Sequence, residues 1–105
     1  MTAVAVRCDG SPSAGWSCSV TLSEGGVDVS EHVVRVSASD LRRLSTSAQE
    51  PTALVRASFK FLLERESPQM ILRSFDLLDI ARYFPGYEQA IRRRVRVSRS
   101  PTVDA

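Results

Sequence analysis

The sequence predicts a small α+β domain, and three observations support that prediction. The chain has 105 residues, which suits one domain and is too short for two. Polar and apolar residues alternate through its first third, as in strands with one buried face. Apolar residues recur every three or four positions through most of the remainder, as in helices. We therefore expect an antiparallel three-stranded meander followed by three to four helices packed on one face of the sheet.

Three strands account for the first third of the chain. They are predicted at about residues 3–8, 16–23 and 31–36. The second strand has the clearest pattern, because every second residue from Trp16 to Leu22 is apolar and the others are serine or threonine. Between the second and third strands, Gly25 and Gly26 favour a tight hairpin turn, since glycine adopts positive φ readily.

Short helices account for the next two thirds. They are predicted at about residues 38–45, 51–66, 68–74, 77–84 and 87–94, within a single domain of residues 1–94. Ser37 suits the N-cap of the first helix, Pro51 a first helical position and Asp76 the cap of the fourth. The helix over 51–66 has an apolar face so broad that it indicates burial on more than one side.

Charge is unevenly distributed along the chain. The net charge is +2, but residues 92–105 carry five arginines and one acid, whereas residues 1–91 carry nine basic and eleven acidic side chains. We expect residues 95–105 to form a basic, disordered tail. No apolar run is long enough for a membrane span, and residues 1–7 lack the apolar core of a signal peptide. The sequence therefore predicts a cytoplasmic protein.

The two cysteines, Cys8 and Cys18, both fall in predicted strands. They form no C-x-x-C motif and have no neighbouring ligands that would complete a zinc site. In a reducing compartment we expect both to be free and buried as small hydrophobic side chains, while geometry alone also permits a cross-strand disulfide.

Residue patterns for catalysis or cofactor binding are not found. The only histidine, His32, has no partner in the sequence that would orient it as a general base, so a structural role is expected. The serines lack a G-x-S-x-G motif and the glycines form no phosphate-binding loop. Acids three apart at the start of a helix, Asp76 and Asp79, suit the helix dipole. We expect no enzymatic activity, no cofactor and no metal.

The segment from Leu54 to Glu88 resembles a known family. Its features are Phe61-Leu62-Leu63-Glu64-Arg65-Glu66 followed by Tyr83-Phe84-Pro85. In these residues the chain is similar to a family of short uncharacterised bacterial proteins that place a hairpin ahead of helices. The resemblance covers about a third of the chain closely and implies an α+β domain, but no activity.

The order of a strand, a short capped helix and a longer helix gives a weaker resemblance to ribbon-helix-helix repressors and antitoxins. In that fold, strands from two subunits pair in the major groove and their side chains contact bases. The resemblance would make Arg35 a base contact, and the basic C-terminal residues could bind phosphates. These candidates are Arg92, Arg93, Arg94 and Arg96. Glu31 on the same strand and Glu50 before the long helix disfavour DNA, because both would repel phosphate.

The prediction we favour is a non-enzymatic protein-binding or assembly module, and a DNA-binding regulator is the alternative. A three-stranded sheet offers little surface to cover a wide helical face, so we expect a homodimer that buries the excess. Another protein is a further possible partner. The candidate interface residues are Val55, Phe59, Phe61, Leu62 and Tyr87.

Overall fold

The computed structural model describes residues 2–45 and 50–99, with side chains through Arg94, and it has an α+β architecture. Its strands are β1 (Thr2–Ser11), β2 (Gly15–Glu24), β3 (Val27–Val36) and β4 (Ser74–Asp76). They form one mixed sheet in the order β1-β2-β3-β4. The first three are antiparallel neighbours, and β4 pairs in parallel with β3. The predicted meander is therefore present, with a fourth strand added.

Helices cover one face of the sheet. They are α1 (Ala38–Leu44), α2 (Thr52–Leu63), α3 (Asp79–Tyr83) and α4 (Tyr87–Arg99). Ser37 caps α1 as predicted, because its hydroxyl accepts a hydrogen bond from the Asp40 amide. Pro51 is the N-cap residue of α2 rather than its first helical residue. Helix α2 packs against both β1 and α4, which explains its broad apolar face.

The long hairpins follow from the alternation in the sequence. Along β2, Trp16, Cys18 and Leu22 are buried, whereas the serines between them face solvent. Gly25 and Gly26 adopt the positive φ angles that the turn between β2 and β3 requires, at 58° and 83°. The hairpins extend beyond the predicted bounds because backbone pairing continues past the last alternating residues.

The prediction of a helix over residues 68–74 was wrong. A single 3-10 turn, Pro68–Met70, occupies its start, and Ser74 begins β4. Phe75 is buried while its two neighbours in the strand are exposed, which is the period-two pattern of a strand. Three residues are too few for this pattern to stand out in a sequence. Asp76 lies in β4 and does not cap a helix, since α3 begins after the N-cap residue Leu78.

The two cysteines are bonded to each other, so the expectation of free thiols was wrong. Cys8 and Cys18 are paired directly across β1 and β2 and form a disulfide, with their Cα atoms 3.9 Å apart. The alternation that buries Cys18 also directs Cys8 to the same face of the sheet. The alternative of a cross-strand disulfide is the one observed.

The five candidate interface residues lie in the core of the single chain. Their relative exposures are 0% for Val55, 0% for Phe59, 2% for Phe61, 4% for Leu62 and 0% for Tyr87. The sheet and α4 cover them, so these side chains have almost no surface left to offer a second subunit. We therefore do not retain them as interface residues.

The C-terminal region is more helical than predicted. Helix α4 continues to Arg99, so residues 95–99, which were expected in the tail, are helical. The rest of the expected tail, residues 100–105, lies outside the described residues. Within the described part of the chain, each helix is too short or too polar to cross a membrane.

Candidate functional site

An apolar groove opens at the side of the sheet where β4 is added. Its floor is formed by the buried side chains of Leu62, Ile71, Phe75 and Ile80. The groove has a volume of about 160 Å³. An engineered apolar cavity of ~150 Å³ can bind benzene, so the groove has room for one large apolar side chain.

Three large apolar side chains form the rim of the groove and face solvent. Their relative exposures are 68% for Met70, 51% for Leu72 and 67% for Tyr83. Single exposed apolar residues are common on protein surfaces, but a contiguous apolar patch is typical of an interaction site. We define these three residues with the floor residues as the groove surface.

His32 fixes one wall of the groove. Its Nδ1 donates a hydrogen bond of 2.7 Å to the Leu72 carbonyl, which can only accept. In the neutral ring the Nε2 atom then accepts from the Ser30 hydroxyl, at 2.9 Å. The ring is buried and packs against Phe59 with centroids 5.3 Å apart. The histidine is therefore a structural residue that holds the segment carrying Leu72 against β3.

Backbone hydrogen bonds continue this attachment along β3. The Val33 amide donates to the Arg73 carbonyl at 2.8 Å, and the Leu77 amide donates to the Arg35 carbonyl at 2.9 Å. The Arg35 side chain adds an ion pair with Asp76, with 2.7 Å between Nε and Oδ1. Residues 72–77 thus lie along one edge of β3, and they place Leu72 and Phe75 in the groove.

The charges at the groove are acidic. Glu66 and Asp79 both line it. Asp79 is partly compensated by Arg82, at 3.7 Å, and accepts a hydrogen bond from the Asp76 amide. Glu66 forms no ion pair with the residues that the structure describes. An apolar surface beside an uncompensated carboxylate favours a ligand that is itself apolar and basic.

Most of the candidate nucleic-acid contacts are engaged within the chain. Arg35 pairs with Asp76, and it lies in a stretch of β3 that has β2 on one side and β4 on the other. Arg92 donates to the Arg43 carbonyl and pairs with Glu88 on the preceding turn of α4.

Arg94 pairs with Glu64 at the end of α2, and its hydrogen bond lowers the pKa of Glu64. Arg93 is exposed, whereas the Arg96 side chain lies outside the described part of the structure.

A buried pair of hydroxyl groups joins α2 to α4. The Ser58 hydroxyl donates to the Leu54 carbonyl at 2.8 Å, so the Tyr87 hydroxyl donates to the Ser58 oxygen, 2.6 Å away. Burial raises the pKa of Tyr87 well above its ordinary value of 10.0. This pair is closed off from solvent and stabilises the core.

Sequence reasoning missed the groove because two of its three rim residues, Met70 and Leu72, lie in a segment that the sequence predicts to be helical. In a helix over 68–74, Met70 and Leu72 would have been ordinary surface residues. The signal present in the sequence was the run of three consecutive apolar residues from Met70 to Leu72.

Neither a metal site in the described residues nor a similar known protein points to another function. In residues 2–45 and 50–99, no three His, Cys, Asp or Glu side chains are arranged to hold a metal ion. No protein-family model matches the chain, and no curated protein or solved structure is significantly similar to it.

Proposed function

We propose that this protein is a non-enzymatic binding module whose groove surface binds a segment of another protein. The observation that carries the proposal is the exposure of Met70, Leu72 and Tyr83 around one apolar groove. Binding would remove these side chains from water, which is the main favourable term in most protein association. The groove volume suits one apolar or aromatic anchor, and Glu66 favours a lysine or arginine beside that anchor.

The surroundings of His32 support a role without catalysis. Both ring nitrogens are hydrogen-bonded inside the protein, to Ser30 and to the Leu72 carbonyl, and the ring is buried. A general base must reach a proton of its substrate, and this ring has no free nitrogen to offer.

Photocrosslinking tests the binding function. A benzophenone amino acid replaces Tyr83 at the groove rim, and a matched variant carries it at Val27, which is 64% exposed in the distant hairpin. We expect a discrete heavier adduct in cells from position 83 and none from position 27. The additional change Leu72→Asp should remove the adduct, because it places a charge in the apolar contact.

Two outcomes would contradict the proposal. Equal adducts from both positions would mean that the groove surface has no particular affinity. An adduct with twice the mass of the chain would mean that a second copy, rather than another protein, occupies the groove.

We also propose a cytoplasmic location from the sequence features given above; the observed Cys8–Cys18 disulfide opposes it and therefore provides its test. Disulfides persist in oxidising compartments and are kept reduced in most cytosols. A cytoplasmic protein should therefore carry two free thiols in intact cells and form the bond only after lysis. Rapid acid quenching followed by thiol labelling distinguishes the two states, and a fully oxidised pair in quenched cells would contradict this location.

A further inference from the structure

The two edges of the sheet differ in length. At one edge, β4 has only three residues. At the other, β1 has ten residues and pairs with β2 on one side only, and in the described chain its second side has no strand partner. Long open edges template pairing with another chain, so proteins usually protect them with charged side chains, proline or a bulge. β1 contains no proline and pairs with β2 in an unbroken register, and its only charged side chains are Arg7 and Asp9, which have opposite signs.

The position of the disulfide shows which backbone groups face the open side of β1. In antiparallel pairs, Cα atoms are about 5.5 Å apart at hydrogen-bonded positions and about 4.5 Å apart at the others. The separation of 3.9 Å between Cys8 and Cys18 therefore marks a pair without hydrogen bonds between its two residues. The amide and carbonyl of Cys8 must point away from β2, and those of Val6 and Gly10 point the same way.

The charges along β1 are complementary to those of a second β1. Arg7 and Asp9 flank Cys8 on the exposed face of the sheet, and neither forms an ion pair in the described structure. Two antiparallel copies centred on Cys8 would place each Arg7 opposite Asp9 of the other copy. Centring on Arg7 would oppose two arginines, and centring on Val6 would oppose Arg7 to Ala5. Only the register centred on Cys8 pairs opposite charges.

From this geometry we propose that the protein dimerises by pairing its β1 strands, antiparallel and centred on Cys8, into a continuous eight-stranded sheet. The pairing is isologous, as in a two-fold dimer. The pairing provides hydrogen-bond partners for the outward backbone groups of β1, and it forms two ion pairs between Arg7 of one copy and Asp9 of the other. This inference makes the expected homodimer specific, and it is independent of the groove surface, which lies beside β4 at the opposite edge of the sheet.

Charge reversal tests the pairing without disturbing the core, because Arg7 and Asp9 are exposed. In sedimentation equilibrium we expect the wild type to form a dimer of twice 11.6 kDa. Arg7→Asp should raise the dimer dissociation constant about tenfold, since both cross-strand pairs become repulsive, and the double reversal R7D/D9R should restore it. Glu31→Arg is the matched control, as it reverses a charge on the same face of an interior strand.

Oxidative crosslinking tests the register. Cys18→Ser leaves Cys8 free, opposite Cys8 of the second copy at a hydrogen-bonded position, where the Cα separation of about 5.5 Å suits a disulfide. Diamide, which accepts the two electrons and two protons, should convert this variant to a covalent dimer. Cys8→Ser should form no covalent dimer under the same conditions, because Cys18 is fully buried.

A monomeric wild type at tens of micromolar, or equal crosslinking of both cysteine variants, would overturn the proposal. Leu72→Asp should leave the dimer intact and Arg7→Asp should leave the adduct from position 83 intact. The two proposals can therefore fail separately.

Discussion

At the scale of single residues, each buried polar side chain in residues 2–45 and 50–94 has a hydrogen-bond partner, apart from one. His32 bonds to Ser30 and to the Leu72 carbonyl, while Ser58 and Tyr87 bond to each other. The hydroxyl of Ser45, at the end of α1, is buried without a hydrogen-bond partner in the described structure. Buried polar groups that are satisfied cost little, and they define which helix faces meet.

The first prediction concerns alkaline pH and Tyr87. Because the folded protein has the higher tyrosine pKa, the unfolded chain loses its proton first as the pH rises above the ordinary value of 10.0. The stabilisation from keeping Tyr87 neutral is complete below that pH and is lost above it. Tyr87→Phe should lower the free energy of unfolding by about 1 kcal/mol at pH 8. Urea unfolding should show this difference shrinking between pH 10 and 11, and a constant difference would contradict the assignment.

The second prediction concerns His32. His32→Phe retains an aromatic ring against Phe59 but leaves the Leu72 carbonyl without its donor, which should cost about 1–3 kcal/mol in the free energy of unfolding. Ser30→Ala is the control, because it removes only the outer hydrogen bond. The groove readout is the yield of the adduct from position 83, which we expect to fall in the histidine variant and not in the control. Equal yields would mean that the histidine does not position the groove wall.

At the scale of elements, the hairpins and the capped helix α1 could be predicted from the sequence, whereas β4 could not. Strict alternation over eight residues identifies β2, and Ser37 identifies the start of α1, because both signals are local. Strand β4 forms only because β3 offers an edge, although the paired residues of the two strands are 41 positions apart in the chain. The groove depends on β4, so it could not be predicted either.

The same limit explains the wrong interface. The apolar face of α2 is visible in the sequence, but what covers that face is not. In the structure β1 and α4 cover this face. Tyr87 of α4 packs against Phe61 of α2, with their ring centroids 5.4 Å apart. A pattern of apolar residues predicts burial without saying which surface does the burying.

The third prediction concerns the disulfide between β1 and β2. It closes a loop between residues ten positions apart, which should stabilise the folded state by about 2–3 kcal/mol through the entropy of the unfolded chain. Reduction with dithiothreitol should therefore lower Tm by roughly 10–20 °C, at 4–8 °C for each kcal/mol. The double variant C8S/C18S should match the reduced protein and should not respond to the reductant. An unchanged Tm on reduction of the wild type would contradict this account.

At the scale of the whole molecule, four of the described arginines are engaged in ion pairs that join neighbouring parts of the fold. Arg35, Arg43, Arg92 and Arg94 are all paired with carboxylates on other elements or the preceding helical turn. The hydrogen bond to Glu88 raises the pKa of Arg43, consistent with a tight pair. These ion pairs connect α1, α2 and β3 to their neighbours.

The fourth prediction follows for DNA. With these arginines engaged, we expect only weak binding that does not depend on sequence, in the range of about 10⁻⁴–10⁻⁶ M typical of non-specific contact. Fluorescence anisotropy on duplexes of different sequence at ~150 mM salt measures it. A dissociation constant below about 10⁻⁶ M that depends on the DNA sequence, and that is lost in Arg35→Ala, would instead support the DNA-binding alternative.

The parallel pairing of β3 with β4 has a consequence for the order in which the molecule assembles. The hydrogen bonds of the hairpins join residues close in sequence, whereas the ion pair between Arg35 and Asp76 spans 41 residues, with α1 and α2 in between. Contacts that close long loops form slowly, because the entropy of closure is lost before the contact is made. In pulsed hydrogen exchange during refolding, the amides of Val33 and Leu77 should become protected after those of the hairpins. A growing chain would thus present a finished hairpin sheet before it acquires its groove, so binding competence would be the last property to appear.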